Sequence, residues 1–138
     1  SEAPDKLIKG LRTEPIEIYI GREDYLCVFD YEEKIKRITP DFAILGELKS
    51  RGVIVTAKGN DVDYVCRFFA PAFGINEDQA TGSIQTTLTN YWSKKLNKKS
   101  LTGIQLSQRV GKFFTELQGD RVLISGQTKT YLTGEIEI

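Results

Sequence analysis

The chain has 138 residues, enough for one domain with a single core and too few for two ordinary ones, and at this size neither a metal nor a disulfide is needed to hold the core together. Lys plus Arg and Asp plus Glu both number 19, so the net charge is zero, and there is no global field to steer the chain to nucleic acid or to an anionic membrane. With 40% hydrophobic and 28% charged residues the composition is that of an ordinary globule and excludes a disordered chain.

What is absent narrows the chemistry further. There is no His, which removes Ser-His-Asp and Cys-His nucleophile systems, imidazole general bases and His-ligated zinc. Any proton transfer has to use Asp, Glu, Lys, Tyr or Cys. There is also no Met, and the opening Ser1-Glu2-Ala3-Pro4-Asp5 lacks the apolar run of a signal peptide. The expectation is a processed or cut N-terminus on a cytoplasmic protein. No stretch approaches the roughly 20 apolar residues of a membrane span. Cys27 and Cys66 lie in apolar, strand-like runs, which suits buried reduced thiols better than a disulfide scaffold.

In chain order, residues 4 to 10 carry the punctuation of a short opening helix, with Pro4 and Asp5 before Leu7 and Ile8 and Gly10 near the end. Ile16, Ile18 and Ile20 alternate with Glu17 and Tyr19, which predicts a strand with its isoleucines inward, and the turn Gly21 to Asp24 leads into Tyr25 to Phe29 as a hairpin. Pro40 and Asp41 start a second helix through Leu45 and Leu48, with Thr39 as the expected N-cap. Val53 to Thr56 and Tyr64 to Phe69 are two more strands around the turn Gly59-Asn60-Asp61.

From Thr81 the period lengthens. Ile84, Leu88, Trp92 and Leu96 fall at four-residue steps, with Thr87 and Tyr91 widening the stripe, and Lys94, Lys95, Lys98 and Lys99 gather where cations complement a helix C-terminus. Strands then follow in the alternation of Ile104, Leu106 and Val110, at Lys112 to Leu117, at Arg121 to Ser125 and at Thr128 to Ile138. Many strands with one long helix give an α+β class rather than repeated βαβ units. A helix apolar over so much of its circumference needs wrapping, so the expected architecture is a mostly antiparallel, barrel-like sheet around a central helix.

The stretch from Arg67 to Ser83 is a strand, a loop with Pro71 and Gly74, and an acidic turn feeding a helix N-terminus through Thr81-Gly82-Ser83. Free N–H groups at such a terminus can hold a carboxylate or phosphate, and Gly82 lets a ligand approach the backbone. The plainer alternative is that Asp78, Thr81 or Ser83 simply caps the helix. Lys94 to Lys99 read as a solvated helix end rather than a phosphate patch, and Tyr91 and Trp92 as core rather than a stacking platform. No phosphate-loop, dinucleotide or paired-cysteine signature is present, so no cofactor and no metal is implied.

The run from Arg67 to Ser83, with Tyr91-Trp92, Gln105 to Arg109, Asp120 to Gln127, Glu14-Pro15, Asp24-Tyr25-Leu26 and Arg51 to Thr56, resembles the C-terminal domain of the phenazine biosynthesis-like (PhzF-type) isomerase and epimerase family. The resemblance covers nearly the whole chain. It implies one half of a diaminopimelate epimerase-like fold, residues 1 to 138 being a single domain, with a small carboxylate-bearing substrate bound in a cleft between two domains. The family's acidic turn is matched at Glu77, Asp78, Thr81, Gly82 and Ser83. By that resemblance Asp78 assists proton transfer or holds the substrate's polar group, Ser83 donates a hydrogen bond, Glu77 and Ala80 belong to the substrate-binding turn, and the amides of Thr81, Gly82, Ser83 and Ile84 bind a carboxylate. Gln79 replaces the usual Pro, and Gln85 stands where many relatives have His.

The larger departure is length. By the resemblance the family's principal proton-transfer glutamate belongs to an N-terminal domain expected to be missing here, and a lone carboxylate in water is poorly suited to abstract a carbon-bound proton. Two functions are therefore expected to compete: the C-terminal half of a cofactor-independent isomerase, inactive by itself, or a non-catalytic ligand-binding or assembly module. The expected partner is the missing domain or a second copy of the chain in a homodimer. The lack of Met favours a fragment over a natural half-length protein.

Overall fold

The computed structural model describes residues 2–78 and 81–127. Gln79, Ala80 and the strand expected from Thr128 to Ile138 lie outside them. Helix α1 (Glu2–Leu11) precedes the hairpin of β1 (Glu17–Ile20) and β2 (Asp24–Val28); α2 (Glu32–Arg37) and α3 (Phe42–Leu45) follow, then β3 (Gly52–Lys58) and β4 (Tyr64–Ala70). A 3-10 turn (Pro71–Phe73) leads to β5 (Ile75–Asp78) and the long helix α4 (Gly82–Leu96), and the chain continues through β6 (Ser100–Leu106), β7 (Val110–Gln118) and β8 (Arg121–Gln127).

The strands form one sheet in the order β1-β2-β3-β4-β6-β7-β8, with β5 attached to β4. Most neighbours are antiparallel, as the short turns require. The two parallel pairs are β2 with β3 and β4 with β6. Parallel neighbours need a crossover that carries the chain back along the sheet, and these two connections are the ones that hold α2 with α3, and α4. The α+β class expected from the sequence holds, with two crossovers set into an otherwise antiparallel sheet.

The crossovers cover opposite faces. On one side Leu7, Leu11, Ile35, Ile38, Leu45 and Leu48 pack on Tyr25, Cys27, Val53, Val55, Val65 and Phe69. On the other, Ile84, Leu88 and Trp92 of α4 pack on Leu26, Val28, Ile54, Tyr64, Cys66, Phe68 and Leu101. β3 and β4 are covered on both faces, which is why their sequences are nearly continuous apolar runs. Ile84, Leu88 and Trp92 are buried as their spacing predicts, whereas Thr87 is exposed and the stripe is completed by Gln85, Thr89 and Ser93.

Helix α4 makes contacts at both ends of the sheet. At one end of the sheet Tyr91 donates a hydrogen bond to Glu17 of β1 (2.5 Å), and at the other α4 packs against β7 and β8. Among the described residues the sheet does not close, since β1 and β8 are its two ends.

Other local expectations shift. Of the three isoleucines expected inward, Ile18 alone packs against the cluster of α1 to α3; Ile16, just before β1, and Ile20, at its end, are 60% and 70% exposed. Asp41, not Thr39, caps α3, its Oδ1 accepting from the amides of Ala43 (3.1 Å) and Ile44 (3.2 Å). The run from 104 to 110 is not one strand: β6 ends at Leu106 and β7 begins at Val110. Cys27 and Cys66 are buried free thiols, and burial pushes both up to about 12.

Candidate functional site

The geometry of the acidic turn starts from a fork in the sheet. The same edge of β4 pairs with β6 over Tyr64 to Cys66 and with β5 over Phe68 to Ala70. β5 and β6 therefore part at Arg67, and α4 begins in the gap between them. Asp78 pairs with Phe68, whose ring lies in the cluster under α4, so Asp78 shares that face. Glu77, one residue earlier, points to the other face by the two-residue alternation of a strand.

Glu77 is fully engaged there. Arg67 donates to its carboxylate through Nε (2.9 Å) and Nη2 (2.7 Å), while Nη1 donates to the carbonyls of Ile35 (2.9 Å) and Ile38 (2.8 Å) at the end of α2. The guanidinium also lies 4.9 Å from the centroid of the Phe69 ring. This bidentate pair binds β5 to β4 and α2. The structure thus separates Glu77 from the other residues of the acidic turn.

Asp78, Thr81, Gly82 and Ser83 do come together. The Thr81 hydroxyl donates to Asp78 Oδ2 (2.8 Å). The Thr81 N–H donates to Gln105 Oε1 (2.8 Å), and Gln105 Nε2 donates to the Asp78 carbonyl (2.9 Å) and to Thr81 Oγ1 (3.1 Å). Because an amide N–H can only donate, the orientation of the Gln105 side chain is dictated by its partners. The Thr81 amide points inward and is already used; it is not among the open donors.

The plainer reading, a capped helix, is not what the turn does. Thr81 occupies the N-cap position, but its side chain bonds Asp78 instead of the helix amides. The N–H groups of the first turn have no partner within a helix, and among the described residues those of Gly82, Ser83 and Ile84 do not donate to the Thr81 side chain. Gly82 and Ser83 are exposed, and a Cβ at Gly82 would meet open space. The arrangement is a carboxylate beside uncapped donors at the positive end of a helix of 15 residues.

Behind the turn is a second buried amide that the apolar spacing hid. Gln85 accepts from the Tyr64 hydroxyl (2.5 Å) and donates to the Thr81 carbonyl (3.3 Å), with Cys66 Sγ at 3.9 Å. Burial raises the Tyr64 phenol above its ordinary value. Gln85 and Gln105 are both fully buried, and neither role follows from apolar spacing. For Gln85 the available signal was a polar residue three before Leu88 on the buried stripe. For Gln105 the strand alternation misled: Ile104 and Leu106 face α1 to α3, and Gln105 faces α4. Among the described residues no group of three or more Cys, Asp or Glu side chains could hold a metal ion.

Both the sequence and the fold have counterparts among known proteins. Residues 4–134 match the family of phenazine biosynthesis-like proteins (PhzC-PhzF), and the chain belongs to that family. An uncharacterized isomerase of Halalkalibacterium halodurans is 41% identical over 135 residues, covering 96% of this chain and 51% of that protein. An uncharacterized isomerase of Pseudomonas aeruginosa is 41% identical over 133 residues, covering 96% and 51%. The crystal structure of a PhzF family protein from Enterococcus faecalis superposes with a TM-score of 0.86 at 41% identity, covering 96% of this chain and 51% of that one. The chain spans about half the length of the curated relatives it matches. No described helix is long and apolar enough to cross a membrane.

Proposed function

We propose that this chain is the C-terminal half of a cofactor-independent isomerase or epimerase that moves a proton on a small carboxylate-bearing metabolite, in the cytoplasm. The observation that carries the reading is the juxtaposition of the Asp78 carboxylate with the uncapped first turn of α4. The names of its relatives as isomerases support the reaction class. In this reading residues 1 to 138 form one domain whose sheet closes into a barrel around α4, as one half of a diaminopimelate epimerase-like fold.

A substrate carboxylate sits on the axis of α4, held by the amides of Gly82 and Ser83 with that of Ile84 behind them, and the Ser83 hydroxyl adds a donor. The carbon next to that carboxylate then lies toward Asp78, which takes or returns a proton while the first-turn amides stabilise the charge that develops on the substrate. Thr81 orients Asp78, and Ala80, which lies outside the described residues, is a further proposed substrate-binding residue. Glu77 contributes through its pair with Arg67, which fixes the strand that carries Asp78. Asp78 and a substrate carboxylate repel at short range, so binding to this half alone is weak. The second proton-transfer group and the other wall of the cleft come from the half that the longer relatives carry, or from a second copy of the chain.

The test is solvent deuterium exchange into small carboxylates with an acidic C–H next to the carboxyl group, followed by proton NMR. The chain alone is expected to be silent, and supplying the second half from the H. halodurans relative is expected to give exchange. Robust exchange by the chain alone contradicts the inactive-half reading. Carboxylate binding without exchange in either state overturns the isomerase reading in favour of a ligand-binding module.

A further inference from the structure

We propose that Gln105 is a positioning residue of the acidic turn: it sets the spacing between Asp78 and the first turn of α4 by bridging the fork between β5 and β6. The inference rests on the functional reading above for its purpose, but its geometry is independent of that reading. Gln105 pairs with Cys66 at the last described register position that β6 shares with β4. Beyond it β5 takes over the same edge of β4, so among the described residues no backbone ladder joins β5 to β6 where Asp78 meets α4. One side chain fills that role with three bonds, to the Asp78 carbonyl, the Thr81 N–H and the Thr81 hydroxyl.

The direction of those bonds matters. By donating to Thr81 Oγ1, Gln105 turns that hydroxyl's own proton toward Asp78 Oδ2. By accepting from the Thr81 N–H it fixes the peptide that opens α4. The Thr81 side chain is thereby kept from swinging round to cap the helix, and the amides of Gly82 and Ser83 stay open. The amide is fully buried and does not touch the exposed face of the turn, so its effect on a ligand passes through Asp78 and Thr81. Loss of the bridge lets Thr81 relax into an ordinary N-cap, whose hydroxyl accepts from the N–H of Ser83 or Ile84 and so closes one of the donors.

The experiment compares wild type, Gln105→Ala and Gln105→Glu by amide NMR and thermal unfolding, with malonate as the anion probe. The expected result for Gln105→Ala is a folded protein in which the Gly82 and Ser83 amide resonances move and the response of those amides to malonate weakens about fivefold or more. Gln105→Glu keeps an acceptor for the Thr81 N–H and loses both donors, so Thr81 amide protection persists while the Gly82 and Ser83 resonances still shift. A purely structural role lowers the unfolding temperature and leaves those resonances and the malonate response where they were; that result overturns the inference. If wild type shows no malonate response, the carboxylate-binding reading fails, and the resonance shifts alone decide the positioning role. If Gln105→Ala does not fold, Gln105→Glu decides it, unchanged Gly82 and Ser83 resonances counting against the proposal.

Discussion

Gly103 in β6 shows how tightly single residues are specified around α4. A Cβ there would overlap the Tyr64 ring, lying 2.6 Å from its Oη. That ring is itself stacked parallel to Trp92, at a centroid distance of 6.5 Å, and bonded to Gln85. Both partners are buried in one close-packed cluster, so the clash has no easy relief. Gly103→Ala is expected to destabilise the fold by about 2–3 kcal/mol, read from urea unfolding. Cys27 and Cys66 carry a different expectation. Burial holds both thiols at about 12, far from the thiolate form at neutral pH. Neither should react with a disulfide reagent at pH near 8 until the protein is unfolded, and rapid labelling of the native chain would refute the burial.

At the scale of elements, the tie between β1 and α4 is electrostatic as well as apolar. Glu17 accepts from Tyr91 and from Tyr19 (2.8 Å), and these two bonds, Tyr91 first, hold its carboxyl below the usual carboxylate value. A carboxyl whose folded value is depressed adds stability that is present above its unfolded value and lost as the pH falls through the folded one. Wild type should therefore lose unfolding temperature faster than Glu17→Gln between about pH 6 and pH 3, the two converging at the acid end. Parallel curves would show that the tie adds nothing.

The same scale shows what was legible in the sequence. The long helix was, because Ile84, Leu88 and Trp92 repeat at helical spacing and all three are buried. The hairpins were, because Gly and Asp clusters separate β-rich runs. α2 was not, since Ile35 is its single buried residue and its long-range tie, from Arg67 to the Ile35 and Ile38 carbonyls, exists only in the fold; its local support is the Lys36–Glu32 (3.1 Å) and Lys34–Asp30 (3.0 Å) pairs four residues apart. β5 was not, because its four residues are half or fully exposed and carry no periodic pattern. At the acidic turn, Asp78, Gly82 and Ser83 were picked out by their type and order. Gln105, which joins them from 24 and 27 residues away, is fixed by a strand fork that exists only in three dimensions.

At the scale of the whole molecule, two crossovers on opposite faces of one sheet explain both the core and the site. α2 and α3 cover one face and hold Arg67 and Glu77 there. α4 covers the other and brings its N-terminus to the point where β5 and β6 part. Asp78 and the first turn are presented at an edge of the chain, and the longer relatives have as much chain again beyond the matched half. The central claim is that Asp78 beside the open turn is the chemical contribution of this half. The most direct measurement is deuterium exchange into a small carboxylate by the assembled two-half protein, wild type against Asp78→Asn. Removing one proton-transfer group costs about 10²–10⁴ in rate, so the account predicts a loss of at least about 100-fold with unfolding temperature unchanged. An Asp78→Asn assembly that exchanges at the wild-type rate would contradict it.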